Sequence, residues 1–302
     1  MRIRLGNAPT SWGIEKPEDS AYPSWNSVLD DVAAAGYEGI ELGPYGYLPT
    51  DPTPLRTELQ ARGLSLTAGT VMRPLHLASE RAEILALTER TCQLLSEQGA
   101  SHLVIIEAII PEREATAGRS EAAPRLSPRE LGIQLETIQA VASVARDHGI
   151  APVVHPHAGT YIEFIDELMA IDSAFRGSIG FCIDTGHCAY AGIDPAQVVK
   201  SLGTRASYIH LKDIDPERLR EARQSGAGFW QAYASGVFCI LGQGMVRFEQ
   251  VFGALADLRY EGWATIEQDA PPGHESRPLE WARASHQFAS ALVERHDAAR
   301  RS

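Results

Sequence analysis

The stretch 207-SYIHLKD-213 alternates in chemical type. Ile209 and Leu211 are apolar, while His210, Lys212 and Asp213 are groups that can bind or move protons. Side chains two apart on a strand share a face. On a barrel strand, Ile209 and Leu211 would then face a covering layer of helices, and His210 and Lys212 would face inward. An inward His and Lys cannot be buried unpaired, so this strand points to chemistry rather than packing alone. Three other stretches also end an apolar run with groups that bind metals or move protons: 151-APVVHPHAGTYIE-163, 179-IGFCIDTGH-187 and 263-WATIEQD-269. They contribute His155, His157, Glu163, Asp184, His187 and Glu267. The stretches starting at 151, 179 and 207 are roughly 27 to 28 residues apart, close to one βα unit of a barrel. Strand ends of this kind would converge on one mouth, and a mixture of carboxylates and imidazoles there suits a divalent metal.

The same rhythm extends outward. Strands are predicted at 3–9, 39–43, 64–72, 102–108, 151–157, 179–185, 207–213 and 263–269. Helical patterns lie at 25–36, 54–63, 79–99, 127–149, 163–172, 194–203, 247–262 and 278–297. Gly36, Gly63, Gly99, Gly149 and Gly262 end helices as C′ residues should. Ser127 and Asp194, each followed by Pro, start them. Eight strand-helix repeats read as a single-domain (β/α)₈ barrel of α/β class covering 1–302. A doubly wound open sheet fits less well, because no Gly-rich phosphate loop follows the first strand. The segment 214–246, after the seventh strand, is long and carries aromatics and glycines, as a lid or specificity loop would. The stretch 111–126 reads as a mobile polar loop, and 297–302 as a fraying tail.

Composition narrows the partners. With 44% apolar residues among 302, the chain can bury a large core. No run approaches the roughly 18 apolar residues of a membrane span, and the N-terminus lacks the apolar segment of a secretory leader. A net charge of −12 and no basic stripe argue against nucleic acid. Cys92, Cys182, Cys188 and Cys239 form no CxxC pair, so reduced thiols and a cytoplasmic protein are expected. Only Lys16, Lys200 and Lys212 are lysine, which draws attention to Lys212 as a tunable acid or base.

The residues leave some roles open. Asp184 could cap the following helix or bind a metal. Glu41 and Glu107, at strand ends, could bind substrate hydroxyls or pair with arginine. His155 and His157 point the same way if their strand persists, though Pro156 and Gly159 suggest that it stops. Two carboxylates and a histidine suit Mn²⁺, Mg²⁺, Co²⁺ or Zn²⁺, with Glu163, His155 and His157 as candidates for a fourth ligand.

The strand ends IDTGH, IHLKD and IEQD resemble those of the xylose-isomerase-like superfamily of TIM barrels. Those enzymes act on sugars and polyols with a divalent metal held by Glu, Asp, His and Glu. Within it, HPHAGTYIE, DTGH, IHLKDI, LGQGMVRF and IEQDAPPGHESRPLEWA look most like the inosose dehydratases, which act on 2-keto-myo-inositol. The similarity runs over essentially the whole chain. It implies Asp184, His210 and Glu267 as metal ligands. Where many relatives carry a glutamate at the end of strand five, this chain reads VVHPH, and Glu163 is the expected substitute. The implied metal is Mn²⁺ or Co²⁺, with Zn²⁺ or Mg²⁺ as alternatives.

The resemblance implies a dehydratase acting through a metal-stabilised enediolate. Glu267 or Glu163 would take the α proton, and His155, His157 or Lys212 would serve as general acid. Glu41, His187, Trp12 and Tyr45 are expected to contact a small polyol or sugar, and Trp230 could do the same. The alternative is a sugar or sugar-phosphate isomerase or epimerase with the same ligands. A dehydratase of 3-dehydroshikimate would need an arginine such as Arg73, and a metal-free sugar-binding barrel is the reading outside enzymes. Homo-oligomers are common among such relatives.

Overall fold

The computed structural model describes residues 2–269 and 278–298. Barrel strands are numbered β1–β8. They are Arg2–Asn7, Gly39–Ile40, a third in two pieces (Ser65–Leu66 and Ala68–Arg73), His102–Glu107, Ala151–Val154, Gly180–Asp184, Ala206–Leu211 and Glu261–Ile266. Every neighbouring pair is parallel, and β8 pairs with β1. The two ends of this sheet are the two pieces of β3. Thr67 joins them: its N–H donates to the Ile40 carbonyl (2.9 Å), and its own carbonyl accepts from Ser101 N–H (3.3 Å). One residue thereby hydrogen-bonds to both sides and closes the expected (β/α)₈ barrel.

The period of two is visible in the packing. Ala68, Val104, Ile106, Val153, Cys182, Tyr208 and Trp263 form a cluster inside the barrel. Their sequence neighbours, among them Leu103, Ile105, Val154, Phe181, Ile183, Ile209 and Leu211, pack with the helices outside. Helix starts follow their sequence signals. Glu130 N–H donates to the Ser127 hydroxyl (3.3 Å) while Ser127 N–H donates to the Glu130 carboxylate (2.8 Å). This reciprocal cap begins Pro128–Asp147. Among the described residues, no helix is long and apolar enough to cross a membrane.

Several expected boundaries move. β2 stops at Ile40 and β5 at Val154, ahead of Pro156. The 111–126 segment opens with a one-turn helix, Pro111–Glu114, whose Arg113 is fully buried. The last helix runs Pro278–Ala298, so residues 297 and 298 are helical rather than tail. The rest of the expected tail, 299–302, lies outside the described residues, as does 270–277 within the last quoted motif.

The 214–246 insertion is built rather than loose. It holds helices Pro216–Ser225 and Phe229–Ala234, and Phe238–Cys239 pairs antiparallel with Asp213–Ile214. Its far end is tied to the buried Asp213. One carboxylate oxygen accepts from the N–H groups of Ile214 (2.9 Å) and Val246 (3.0 Å), and the other from Gly242 and Gly244 (2.9 Å each). A Cβ on Gly244 would collide with the Ile214 carbonyl and the Asp213 carboxylate, whereas a Cβ on Gly132 would meet nothing within 4 Å. Gly244→Ala should therefore lower stability by about 1–3 kcal/mol. Gly132→Ala, inside a helix, should raise it by about 0.5–1 kcal/mol. Urea midpoints of the two variants should shift in opposite directions.

Candidate metal centre and active site

Four consecutive strands deliver one inward side chain each at the C-terminal mouth. β6 ends with Asp184, β7 carries His210, and His155 and Glu267 each follow their strand by one residue. Their ligand atoms all lie within 4.8 Å of one another. Asp184 Oδ2 is 3.9 Å from His155 Nε2 and from His210 Nδ1, and His210 Nδ1 is 3.1 Å from Glu267 Oε2. Yet both ring nitrogens of His155, Asp184 Oδ2 and His210 Nδ1 are buried and have no hydrogen-bond partner among the described residues. A buried polar atom left unpaired costs about 1–3 kcal/mol. A divalent cation accepting these N and O donors would satisfy the group, and the donor set suits one.

The supporting contacts aim these atoms. Asp184 both caps and faces the mouth: its Oδ1 accepts from His187 N–H (2.8 Å), which leaves Oδ2 turned inward. His210 Nε2 lies 2.9 Å from Glu41 Oε1, which also accepts from the Tyr208 hydroxyl (2.9 Å). The Tyr208 hydroxyl oxygen lies 3.0 Å from Thr67 Oγ1 and 2.8 Å from Thr265 Oγ1. A carboxylate on Nε2–H keeps the proton there and leaves the Nδ1 lone pair available to a cation. Glu41, expected to touch substrate, instead sits beneath His210.

Lys212 is buried beside this group. Its Nζ is 2.9 Å from Asp269 Oδ2, 3.4 Å from Glu267 Oε2, 3.5 Å from Asp184 Oδ2 and 3.2 Å from His187 Nε2. Burial pulls its pKa down, but Asp184, Asp269 and Glu267 outweigh that and raise it well above the ordinary value, so Lys212 is charged. Burial opposes ionisation of Glu267, but His210 and Lys212 hold it well below the usual carboxylate range. Asp269 is pushed up to about 6 by burial against the pull of Lys212. Burial, with His210 beside it, lowers His155 to about 3; burial, with His155 beside it, does the same to His157. Both imidazoles are neutral at pH 7, as ligands or proton acceptors must be.

The structure does not bring Glu163 into this group. Its oxygens accept from the N–H groups of Gly118 (2.6 Å) and Gly159 (3.1 Å) and from Arg113 Nη2 (3.3 Å). Burial raises its pKa to about 7 despite those donors. The chain turns at Gly159 (φ 80°) and carries Glu163 away from the mouth, and His155 takes the fourth corner. His157, half-buried at the rim, bonds through Nδ1 to the Ala158 carbonyl (2.8 Å) and stacks on His187 at 3.7 Å. Trp12 is buried and donates to Asp31 (3.0 Å), and Tyr45 is partly buried in the core with Arg90 over its ring. Neither is among the residues gathered around Lys212. Glu107 has the outward parity of its strand and binds Leu75 N–H, His76 and Gln134. Arg73 donates to its neighbour's carbonyl at Met72.

Residues at the mouth that escaped the sequence reading include Asp269, Phe229 and Phe238. Asp269 repeats the inward phase of Glu267 two residues on, a signal that was available. Phe229 and Phe238 come from the insertion. Phe229 lies 5.5 Å from the His157 ring, and the Lys212 ammonium sits 5.1 Å over Phe238. Only the folded insertion brings them there.

The barrel and this strand-end site define a class. Residues 29–292 match the family model described as Xylose isomerase-like TIM barrel, and the chain belongs to that family. It is similar to the rhizopine catabolism protein MocC of Rhizobium meliloti, with 28% identity covering 97% of this chain and 89% of the relative. It is also similar to inosose dehydratase of Geobacillus kaustophilus, with 27% identity covering 96% and 95%. Among solved structures, the IolI protein with a bound zinc atom superposes with a TM-score of 0.75 at 12% identity, covering 97% of this chain and 99% of that one.

If Glu41 orients His210, Glu41→Gln should weaken divalent-metal affinity about 10- to 100-fold, measured by chelator competition.

Proposed function

We propose that this protein is a divalent-metal-dependent hydro-lyase that removes water from a keto-polyol such as 2-keto-myo-inositol. The observation that carries the reading is the convergence of His155, Asp184, His210 and Glu267 donor atoms within 4.8 Å, several of them on the first three residues lacking a hydrogen-bond partner among the described residues, with a charged lysine beside them. The inosose dehydratase similarity over nearly the full chain supports the substrate class. Bound by these four residues, a divalent cation would supply Lewis acidity toward the keto group and its neighbouring hydroxyl, acidifying the α-C–H. Mn²⁺ or Co²⁺ suits the mixed N/O donor set.

The chain's own residues then divide the proton work. His157, neutral at the rim, accepts the α proton. Lys212 donates a proton to the β-hydroxyl as its C–O bond breaks, so the leaving group departs as water. Asp269, 2.9 Å from the ammonium, holds Lys212 in line and shares its proton. Glu267, held strongly ionised, serves as ligand rather than base. His187 positions Lys212 and the substrate edge, while Phe229 and Phe238 exclude bulk water. A sugar isomerase or epimerase is the weaker reading. β5 supplies the neutral His155 at the position where the resemblance implies a proton-moving glutamate.

Metal-stripped protein should be inert toward 2-keto-myo-inositol and regain water loss with Mn²⁺ or Co²⁺, followed by dione absorbance and product mass. Lys212→Met and His157→Ala should lower kcat by about 10²–10⁴-fold while metal remains bound. A product of unchanged mass would overturn the dehydratase in favour of isomerisation.

A further inference from the structure

Cys182 precedes Asp184 by two residues on β6 and shares its inward face, one layer deeper in the barrel. It is a free, buried thiol. Its Sγ and one ring nitrogen each from His155 and His210 all lie within 4.8 Å of one another. The two histidines therefore belong to two donor groups. The upper one, with Asp184 and Glu267, offers two nitrogens and two carboxylate oxygens. The lower one offers two nitrogens and a sulfur. His155 has both ring nitrogens buried and unpartnered among the described residues, and His210 has Nδ1 in the same state.

The two groups differ in softness and in access. Thiolate with imidazole favours zinc-like and softer cations, whereas the carboxylate-rich group accepts Mn²⁺ or Mg²⁺. Cys182 is fully buried within the inner cluster of Ala68, Val104, Ile106, Val153, Tyr208 and Trp263. We propose that Cys182, His155 and His210 form a second, deeper binding position for a thiophilic divalent cation. Occupying it releases the thiol proton to solvent and involves no change of oxidation state. Because the histidines are shared, an ion held there excludes one from the upper position and lies out of reach of substrate. The site thus discriminates among metals by depth, and a thiophilic ion acts as an inhibitor. The deeper position goes beyond the dehydratase reading and does not require it.

The test uses metal-stripped full-length protein titrated anaerobically with Co²⁺, Cd²⁺ and Mn²⁺. Wild type should show sulfur-to-metal charge-transfer absorption with Co²⁺ and Cd²⁺, lost in both Cys182→Ser and Cys182→Ala. Cd²⁺ affinity should fall about tenfold or more in the variants, with Mn²⁺ affinity held within about twofold. No such absorption in wild type, or its persistence in both variants, overturns the proposal. Wild-type crystals soaked in Cd²⁺ give a readout independent of the variants. An anomalous peak at bonding distance from Cys182 Sγ supports the deeper position, and one bonded only among His155, Asp184, His210 and Glu267 overturns it. Failure of Mn²⁺ to bind wild type would instead count against the proposed dehydratase, whatever Cd²⁺ does.

Discussion

The Glu41 carboxylate, buried at the centre of the barrel, is the point on which the rest depends. It cannot sit there without donors, and it has two, the Tyr208 hydroxyl and His210 Nε2. Tyr208 also reaches Thr67, the residue whose backbone closes the barrel, and Thr265 on β8. Closure of the sheet and orientation of the His210 ring thus pass through one chain of polar contacts. Below it the interior holds the cluster of Ala68, Val104, Ile106, Val153 and Trp263; above it converge His155, Asp184, His210, Lys212 and Glu267. The barrel changes from core to site within a single layer of side chains.

Above that layer, charge is concentrated rather than dispersed. Asp184, Glu267 and Asp269 surround one ammonium; Asp184, Asp269 and Lys212 are buried and Glu267 is largely so. In so dry a setting the ion pairs are strong, but each remaining unpaired charge is costly. A bound cation and a polar substrate would balance the excess of carboxylate. The walls come from two long loops laced together. Trp230 N–H donates to Glu114 (2.9 Å), and Arg119 donates to the Ala227 carbonyl (2.9 Å). Arg113 ties the first of these loops to Glu163 and Glu167.

Much of the barrel was legible in the sequence because each strand carries its own address. An apolar run of period two ended by a charge states both the fold and which side chains turn inward. Asp184, His210 and Glu267 could be found this way and do converge. Glu163 could not be judged so easily. Its fate is decided by the amides of Gly118 and Gly159 and by Arg113, fifty residues away, a partner that no local pattern announces. The same holds for Glu41, whose strand-end position was readable but whose partner His210 was not, and for Trp12, whose partner Asp31 was not. Glu107 had a readable cue in its parity, one residue out of phase with Val104 and Ile106. Phe229 and Phe238 were hidden because the insertion reads as irregular until its short helices and ribbon are seen.

Asp213 gives this architecture an unusual division of parts. The residue next to Lys212 anchors both ends of the insertion, through Ile214 at its start and Gly242, Gly244 and Val246 at its close. Both ends of the segment are therefore fastened to one carboxylate, and the segment can be regarded as a cassette. Exchange of that cassette between relatives would alter the wall facing the substrate while leaving the ligand-bearing strands undisturbed, provided that the aspartate and its glycines travel with it. The wall over the mouth and the donor-bearing strands beneath it can accordingly drift apart over evolution in this barrel.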